Sequence, residues 1–350
     1  MEDKQIFSDP KRIYQRMISD IRKAKEEILL ETYLYGDDKI GRLFRDELMK
    51  KAVEGVRIKV LIDGWGTEVK RKFFKGLTGL GAKVRFFREF KYTWSFIDDN
   101  YERNHRKLLI VDGRISYIGS INITARCLGW SELVLRIEGN LGVALRRSFN
   151  RSWKKFNIWG KRKMRKIVHE GYEVLHGFPS NLNHSYFERR YRRLIGKAQK
   201  EILIETPYFV PSSGIRKAIK DALSRGVKVK LVLPQKSDVW LVDVVRNRYL
   251  GNLHRAGVKI FYHSKFLHSK LLIIDEELFL FGSSNLDYRS FLYQYEINLF
   301  GRDKDLIEKL KKHFSKNLRE SSRFSYGAWR NRRNIGKLVE RLIEYFKRHL

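Results

Sequence analysis

HRKLLIVDGRISYIGSIN (His105–Asn122) and HSKLLIIDEELFLFGSSN (His268–Asn285) are two versions of one sentence. Each opens on a histidine with a lysine two positions on, His105 with Lys107 and His268 with Lys270. Each has an aspartate seven residues after the histidine, Asp112 and Asp275, and an asparagine seventeen after it, Asn122 and Asn285. Gly119-Ser120 and Gly282-Ser283 fall at the same offsets, and an acid, Glu132 or Glu296, opens a further strand 27 or 28 residues after the histidine. Upstream, EILLETYLYG (Glu27–Gly36) matches EILIETPYFV (Glu201–Val210), GVRIKVLIDG (Gly55–Gly64) matches GVKVKLVLPQ (Gly226–Gln235), and LGAKVRFF (Leu80–Phe87) matches AGVKIFYH (Ala256–His263). The matches keep one order, so the chain is a duplicated domain and not a solenoid of short repeats.

Within the first copy, β-rich runs are expected at 28–34, 57–62, 83–87, 107–111, 115–119 and 133–137. An amphipathic helix is expected over 40–53, where Leu43, Phe44 and Leu48 fall at helical spacing. Strands alternating with helices imply an α/β fold with a largely buried sheet. The 350 residues suffice for two such domains. The expected division is 1–160, 161–330 and a C-terminal basic amphipathic helix over 331–350, with the copies meeting between Phe156 and Phe187. On a pleated strand, residues two apart share a face, so each histidine and its lysine point the same way.

The formal net charge of +33 favours an anionic partner: nucleic acid, an acidic membrane surface or a phosphorylated substrate. Cys127 is the single cysteine, which excludes an intrachain disulfide and a cysteine-built metal cage. The opening MEDKQIFSDP lacks an apolar run of the secretory kind, and no eighteen consecutive apolar residues occur. Membrane contact is therefore expected to be peripheral.

The doubled H-x-K-x4-D-x6-G-S-x-N pattern resembles the phospholipase D superfamily, and ETPYFVP (Glu205–Pro211) resembles bacterial cardiolipin synthases; the lack of N-terminal spans resembles their shorter, peripheral type. The resemblance implies a duplicated α/β/α sandwich of two pseudo-symmetric domains with one active site at their interface. It also implies phosphatidyl transfer through a phosphohistidine, with His105 as nucleophile and His268 as general acid, then base. Neutral imidazole attacks phosphorus well near neutral pH, and a protonated one can supply the leaving alkoxide with a proton. Lys107 and Lys270 suit the non-bridging oxygens, and Asn122 and Asn285 can donate to them. Ser120, Ser283, Glu132 and Glu296 complete the candidate substrate-binding set, the glutamates as groups able to orient a histidine through Nδ1.

Asp112 and Asp275 enter the candidate catalytic set as the third members of the motifs, although an acid after a strand more often pins a turn or pairs with a buried base. His263 opens a second H-S-K but lacks the acid, so a surface or pocket-rim position is expected for it. No cofactor and no catalytic metal are expected, since the lysines already carry positive charge. The segment Arg146–Lys166 holds ten basic residues and no acid. Its first half, with Phe149 and Trp153, is expected to pack as core, and Trp159, Lys161, Arg162, Lys163, Arg165 and Lys166 to face lipid. A second candidate anchor is the apolar stripe from Ile335 to Phe346, with packing on the protein as its rival. The expected partner is an anionic membrane containing phosphatidylglycerol and cardiolipin, at the cytoplasmic face of the cell membrane, with nucleic acid unfavoured. Hydrolysis to phosphatidic acid, transfer to another alcohol, a nuclease of the same superfamily and a non-enzymatic binding module remain the alternatives.

Overall fold

The strand EILLET is buried at every position, which requires cover on both faces of its sheet. In the computed structural model, which describes residues 3–89, 101–154, 165–181 and 184–332, helices supply that cover. Contacts divide the chain into two units, Met1–His176 with Tyr295–Leu299, and Gly177–Gln294 with Phe300–Leu350.

The first unit holds β1 (Asp3–Phe7), β2 (Glu27–Thr32), β3 (Arg57–Asp63), β4 (Lys83–Phe87), β5 (Arg103–Asn104), β6 (Leu108–Val111), β7 (Ile115–Gly119) and β8 (Val134–Glu138). Seven of these form one sheet in the order β1-β8-β7-β6-β2-β3-β4. β2, β3 and β4 run parallel, and β6, β7, β8 and β1 continue antiparallel from β2. Ile28, Leu30, Ile58, Val60 and Ile62 face a core filled by Ile13, Met17 and Ile21 of helix Pro10–Arg22 and Phe44 and Leu48 of helix Lys39–Val53. Each helix starts on an aspartate side chain that accepts a first-turn amide, Asp9 from Arg12 and Asp38 from Ile40 and Gly41. On the other face, helix Leu141–Lys154 packs against β2, β6, β7 and β8. Its Phe149 and Trp153 are buried and stacked 5.9 Å apart, so the core half of the basic segment is as expected. β9 (Lys166–His169) and β10 (Tyr172–Gly177) form an antiparallel hairpin.

The second unit repeats the plan. β11 (Glu201–Glu205), β12 (Lys228–Pro234) and β13 (Lys259–His263) are parallel, and β14 (Leu271–Ile274) and β15 (Leu278–Gly282) run antiparallel from β11. β17 (Ser321–Arg323) adds an antiparallel edge to β13, while β16 (Gln294–Gly301) carries the residues Tyr295–Leu299 that belong to the first unit. The duplication extends to register: Ile28 pairs with Val111 where Ile202 pairs with Ile274. Among the described residues no helix is long and apolar enough to cross a membrane. Trp159, Lys161, Arg162 and Lys163 lie outside the described residues, as does nearly all of the segment expected as a C-terminal helix over 331–350. Arg165 and Lys166 are described and exposed, and Lys166 Nζ donates to Glu173 at 2.7 Å.

The motif aspartates pin turns, the role that an acid following a strand more often has. Asp112 accepts from the amides of Lys25, Glu26 and Glu27 at 2.8–3.0 Å. Asp275 accepts from those of Gln199, Lys200 and Glu201 at 2.7–2.9 Å. Both have positive φ, 51° and 54°, a left-handed conformation that aspartate tolerates better than most residues. Each follows its strand while the histidine precedes it, and seven extended residues span about 23 Å. The carboxylates thus pin the entry of the central strand at the far end from the histidines. Asp112→Ala should lower stability by about 2 kcal/mol or more, since three amides lose a charged acceptor. A falling urea midpoint with turnover of the folded fraction unchanged is the expected result; a selective loss of turnover would give Asp112 a role in catalysis.

Candidate active site

Alternation along the strand entry sorts residues 103–107 into two sets. Asn104 and Arg106 turn to a buried acid at the end of β2: Asn104 Nδ2 donates to Glu31 at 2.9 Å, and Arg106 Nε lies 3.1 Å from the same oxygen. Arg106 also donates to Ser148 at 2.7 Å, and Ser148 is 2.8 Å from His176 Nε2. Arg103, His105 and Lys107 are left for the other side, where Tyr33, just beyond β2, meets them. Its ring stands edge-on to the His105 imidazole, centroids 5.0 Å apart, and Lys107 Nζ lies 5.3 Å over the ring.

His105 is buried, and its Nδ1 lies 3.0 and 3.1 Å from the two carboxylate oxygens of Glu296. Its backbone amide donates to Tyr295 at 2.9 Å, so consecutive residues of β16 hold both backbone and ring. A carboxylate on Nδ1 fixes the tautomer and leaves Nε2 as the reactive nitrogen. Lys107 Nζ donates to the carbonyl of His105 at 2.6 Å, and Lys270 Nζ makes the same bond to His268. One of each ammonium's three protons is thereby spent on holding the histidine's backbone.

The other candidates differ in placement. Asn122 Oδ1 accepts from the Leu34 amide at 3.3 Å, leaving its amino group as the donor end. The equivalent Asn285 donates toward Asp287, whose pKa burial pushes up to about 6 against bonds from Ser290 and the charge of Arg289. The Ser120 hydroxyl is engaged within the protein. It is fully buried, donates to Glu132 and accepts from the Leu133 amide at 2.9 Å, which makes it a support for Glu132. Gly119 makes this possible, since a Cβ there would lie 2.2 Å from the Leu133 carbonyl oxygen. Ser283 is likewise fully buried. His263 is buried at the end of β13, with Nε2 3.3 Å from Glu320, and not at the surface. Among the described residues no three His, Cys, Asp or Glu side chains group as metal ligands.

Several residues of the site were not singled out in the sequence. Glu31 and Glu205 are acids repeated within otherwise apolar strands, and that repetition was the available signal. Glu205 takes bonds from Ser269 (2.5 Å), His313 Nε2 (3.0 Å) and Asn317 (3.0 Å). Burial opposes its ionisation, yet the His313 charge and these bonds hold its pKa below the usual value. Asp63, at the end of β3, is buried and accepts from the amides of Trp65, Gly66 and Asn104 and, more distantly, from Arg103. Burial raises its pKa despite these partners.

The Tyr33 ring lies flat against Gly66, where a Cβ would come within 2.4 Å of it. Gly66→Ala should therefore push the ring off His105 and Lys107 and lower kcat by about ten- to a hundredfold. Tyr33→Leu should do the same, while Tyr33→Phe stays near wild type. Wild-type kcat in Tyr33→Leu would show that the ring positions nothing.

A family model described as cardiolipin synthase, phospholipase D-like domain, matches residues 17–153 and again 191–318. The major cardiolipin synthase ClsA of Bacillus subtilis is 32% identical, covering 97% of this chain and 74% of that protein. A cardiolipin synthase of Listeria welshimeri is 32% identical over 91% of this chain and 69% of its own length. A cardiolipin synthase of Oceanobacillus iheyensis is 31% identical over 97% and 74%. Among solved structures, the phosphatidylserine synthase of Haemophilus influenzae covers 99% of this chain and 95% of its own, with a TM-score of 0.77 at 15% identity. Polyphosphate kinase of Porphyromonas gingivalis covers 99% of this chain and 54% of its own at a TM-score of 0.62 and 12% identity, which likewise speaks to fold alone. Matched in both halves by one family model and along nearly its whole length by these relatives, the chain belongs to the phospholipase D-like family of cardiolipin synthases.

Proposed function

We propose that the protein is a cardiolipin synthase that joins two phosphatidylglycerol molecules and releases glycerol, working on an anionic bilayer at the cytoplasmic face of the cell membrane. The observation that carries the mechanism is the Glu296 carboxylate on Nδ1 of the buried His105. It orients Nε2 and stabilises the positive ring that forms when nitrogen bonds to phosphorus. In this reading Nε2 attacks the phosphorus of the first phosphatidylglycerol. The bond to the glycerol headgroup oxygen breaks, His268 gives that oxygen its proton, and the phosphatidyl group stays on His105. A headgroup hydroxyl of the second phosphatidylglycerol then attacks the same phosphorus. His268 takes the hydroxyl proton, and the phosphorus–nitrogen bond breaks to free cardiolipin.

Lys107, Lys270 and the Asn122 amino group balance the charge on the non-bridging oxygens. Ser120 and Glu132 contribute as buried supports. Nucleic acid is not the partner in this reading. The excess positive charge serves the acidic lipid surface instead, and Trp159, Lys161, Arg162, Lys163, Arg165 and Lys166 are assigned to that surface.

Purified protein with labelled phosphatidylglycerol vesicles should yield cardiolipin and free glycerol. Phosphatidic acid as the main product would make the protein a hydrolase instead. His105→Ala should abolish turnover, and Glu296→Gln should lower kcat by about 10³–10⁴ with little change in KM, because the tautomer is lost while the pocket stays. Equal kcat in Glu296→Gln and wild type would remove the orienting role. Turnover should also survive EDTA, since the cations are side chains; complete loss restored by a divalent ion would refute a metal-free site.

A further inference from the structure

Trp65 is 47% exposed on the turn that follows β3, an unusual place for the largest apolar side chain. The turn is held from beneath. One oxygen of the fully buried Asp63 accepts from the amides of Trp65 and Gly66 at 2.9 and 2.8 Å. The other accepts from the amide of Asn104 at 2.8 Å, the residue before His105. The Arg103 guanidinium lies 5.4 Å from the centre of the indole ring. A single buried carboxylate thus ties the exposed tryptophan to the backbone that carries the candidate nucleophile.

The chain after this turn is basic. Lys70, Arg71, Lys72 and Lys75 are all exposed. Arg71 pairs with Glu89, and the nearby acid Glu68 pairs with Arg126, so Lys70, Lys72 and Lys75 carry the net charge of this segment. The second unit presents a comparable feature after β12, the counterpart of β3. There Val239 and Trp240 are exposed, Trp240 at 64%, and Lys236 precedes them.

We propose that Trp65, with Lys70, Lys72 and Lys75, is a bilayer-docking element of the first unit, seating the indole among the headgroups of an anionic phospholipid surface. The inference deepens the phosphatidyl-transfer reading, because a substrate that resides in a bilayer must be met at its surface. Indole prefers the interface between headgroup and acyl chain, and each lysine near an acidic leaflet adds a favourable, salt-sensitive contribution. A rigid turn suits this task, since little conformational freedom is lost on docking. The competing role for Trp65 is purely internal, as a lid on the Arg103 guanidinium.

Flotation of the full chain with phosphatidylglycerol vesicles and with phosphatidylcholine vesicles separates the two roles. Wild type should bind the former, less so as salt rises. Trp65→Ala should raise the lipid concentration for half-binding about tenfold. Trp65→Phe should recover most of the loss. Reversal of Lys70, Lys72 and Lys75 to glutamate should weaken binding by about a hundredfold or more. Turnover of a short-chain, monomeric phosphatidylglycerol should stay within about twofold of wild type in Trp65→Ala. Unchanged flotation of Trp65→Ala, or an equal loss on the monomeric substrate, would overturn the proposal in favour of the internal role. Absence of cardiolipin from wild-type reactions would count against the proposed reaction and leave the flotation result to stand by itself.

Discussion

A carboxylate buried away from water must be met by a cation or by several donors, or the strand that carries it will not stay folded. Glu31 at the end of β2 imposes this on the first unit. Arg106 and Asn104 answer it, and in doing so they fix the rotation of the segment that holds His105 and Lys107. Because neighbouring residues of an extended chain face opposite ways, anchoring positions 104 and 106 on Glu31 commits 103, 105 and 107 to the other side. The catalytic face is therefore set by what is fastened behind it.

The same logic continues outward. Glu296 fixes the imidazole ring, Tyr295 its backbone, Lys107 its carbonyl, and Asp63 the amide just before it. These bonds are made to buried groups, where losing a partner is costly, so the geometry of the nucleophile and the stability of the fold are not separable quantities. The costs of burial show where this is most severe: Asp63 is driven above the usual carboxylate range even with four donors, whereas Glu205, with a histidine beside it, is held below.

The sheet plan was legible in the sequence because duplication shows each strand twice, and the alternating apolar pattern was long enough to place β2, β3, β4, β7 and β8 within a residue or two. The histidine–lysine pairs were legible for the same reason. What the repeat concealed was the direction each side chain takes. Asp112 and Asp275 share the motif with the histidines, yet lie beyond the other end of the strand, where they close a turn. Ser120 sits beside Asn122 in sequence, yet its hydroxyl is consumed by Glu132 and Leu133. His263 was judged by the missing acid downstream, a criterion silent on the strand register that buries it. His176 and His313 have no histidine counterpart in the other copy, so the repeat does not point to the buried network in which each lies.

That last network has a consequence for how the two copies have drifted apart since duplication. Phe149 aligns with Phe314, so Ser148 occupies the place of His313, just as Arg106 occupies that of Ser269. One copy keeps its arginine on the strand entry and a hydroxyl on the helix; the other keeps the hydroxyl on the strand entry and an imidazole on the helix. Either arrangement gives its glutamate one basic partner and one hydroxyl, but a hybrid of the two carries no basic partner or a crowded pair. The halves cannot exchange these positions singly, because the two sites, 42 residues apart in one copy and 44 in the other, must match each other. The two halves share one backbone plan, yet the residues behind their strands work only in the pairs in which they occur.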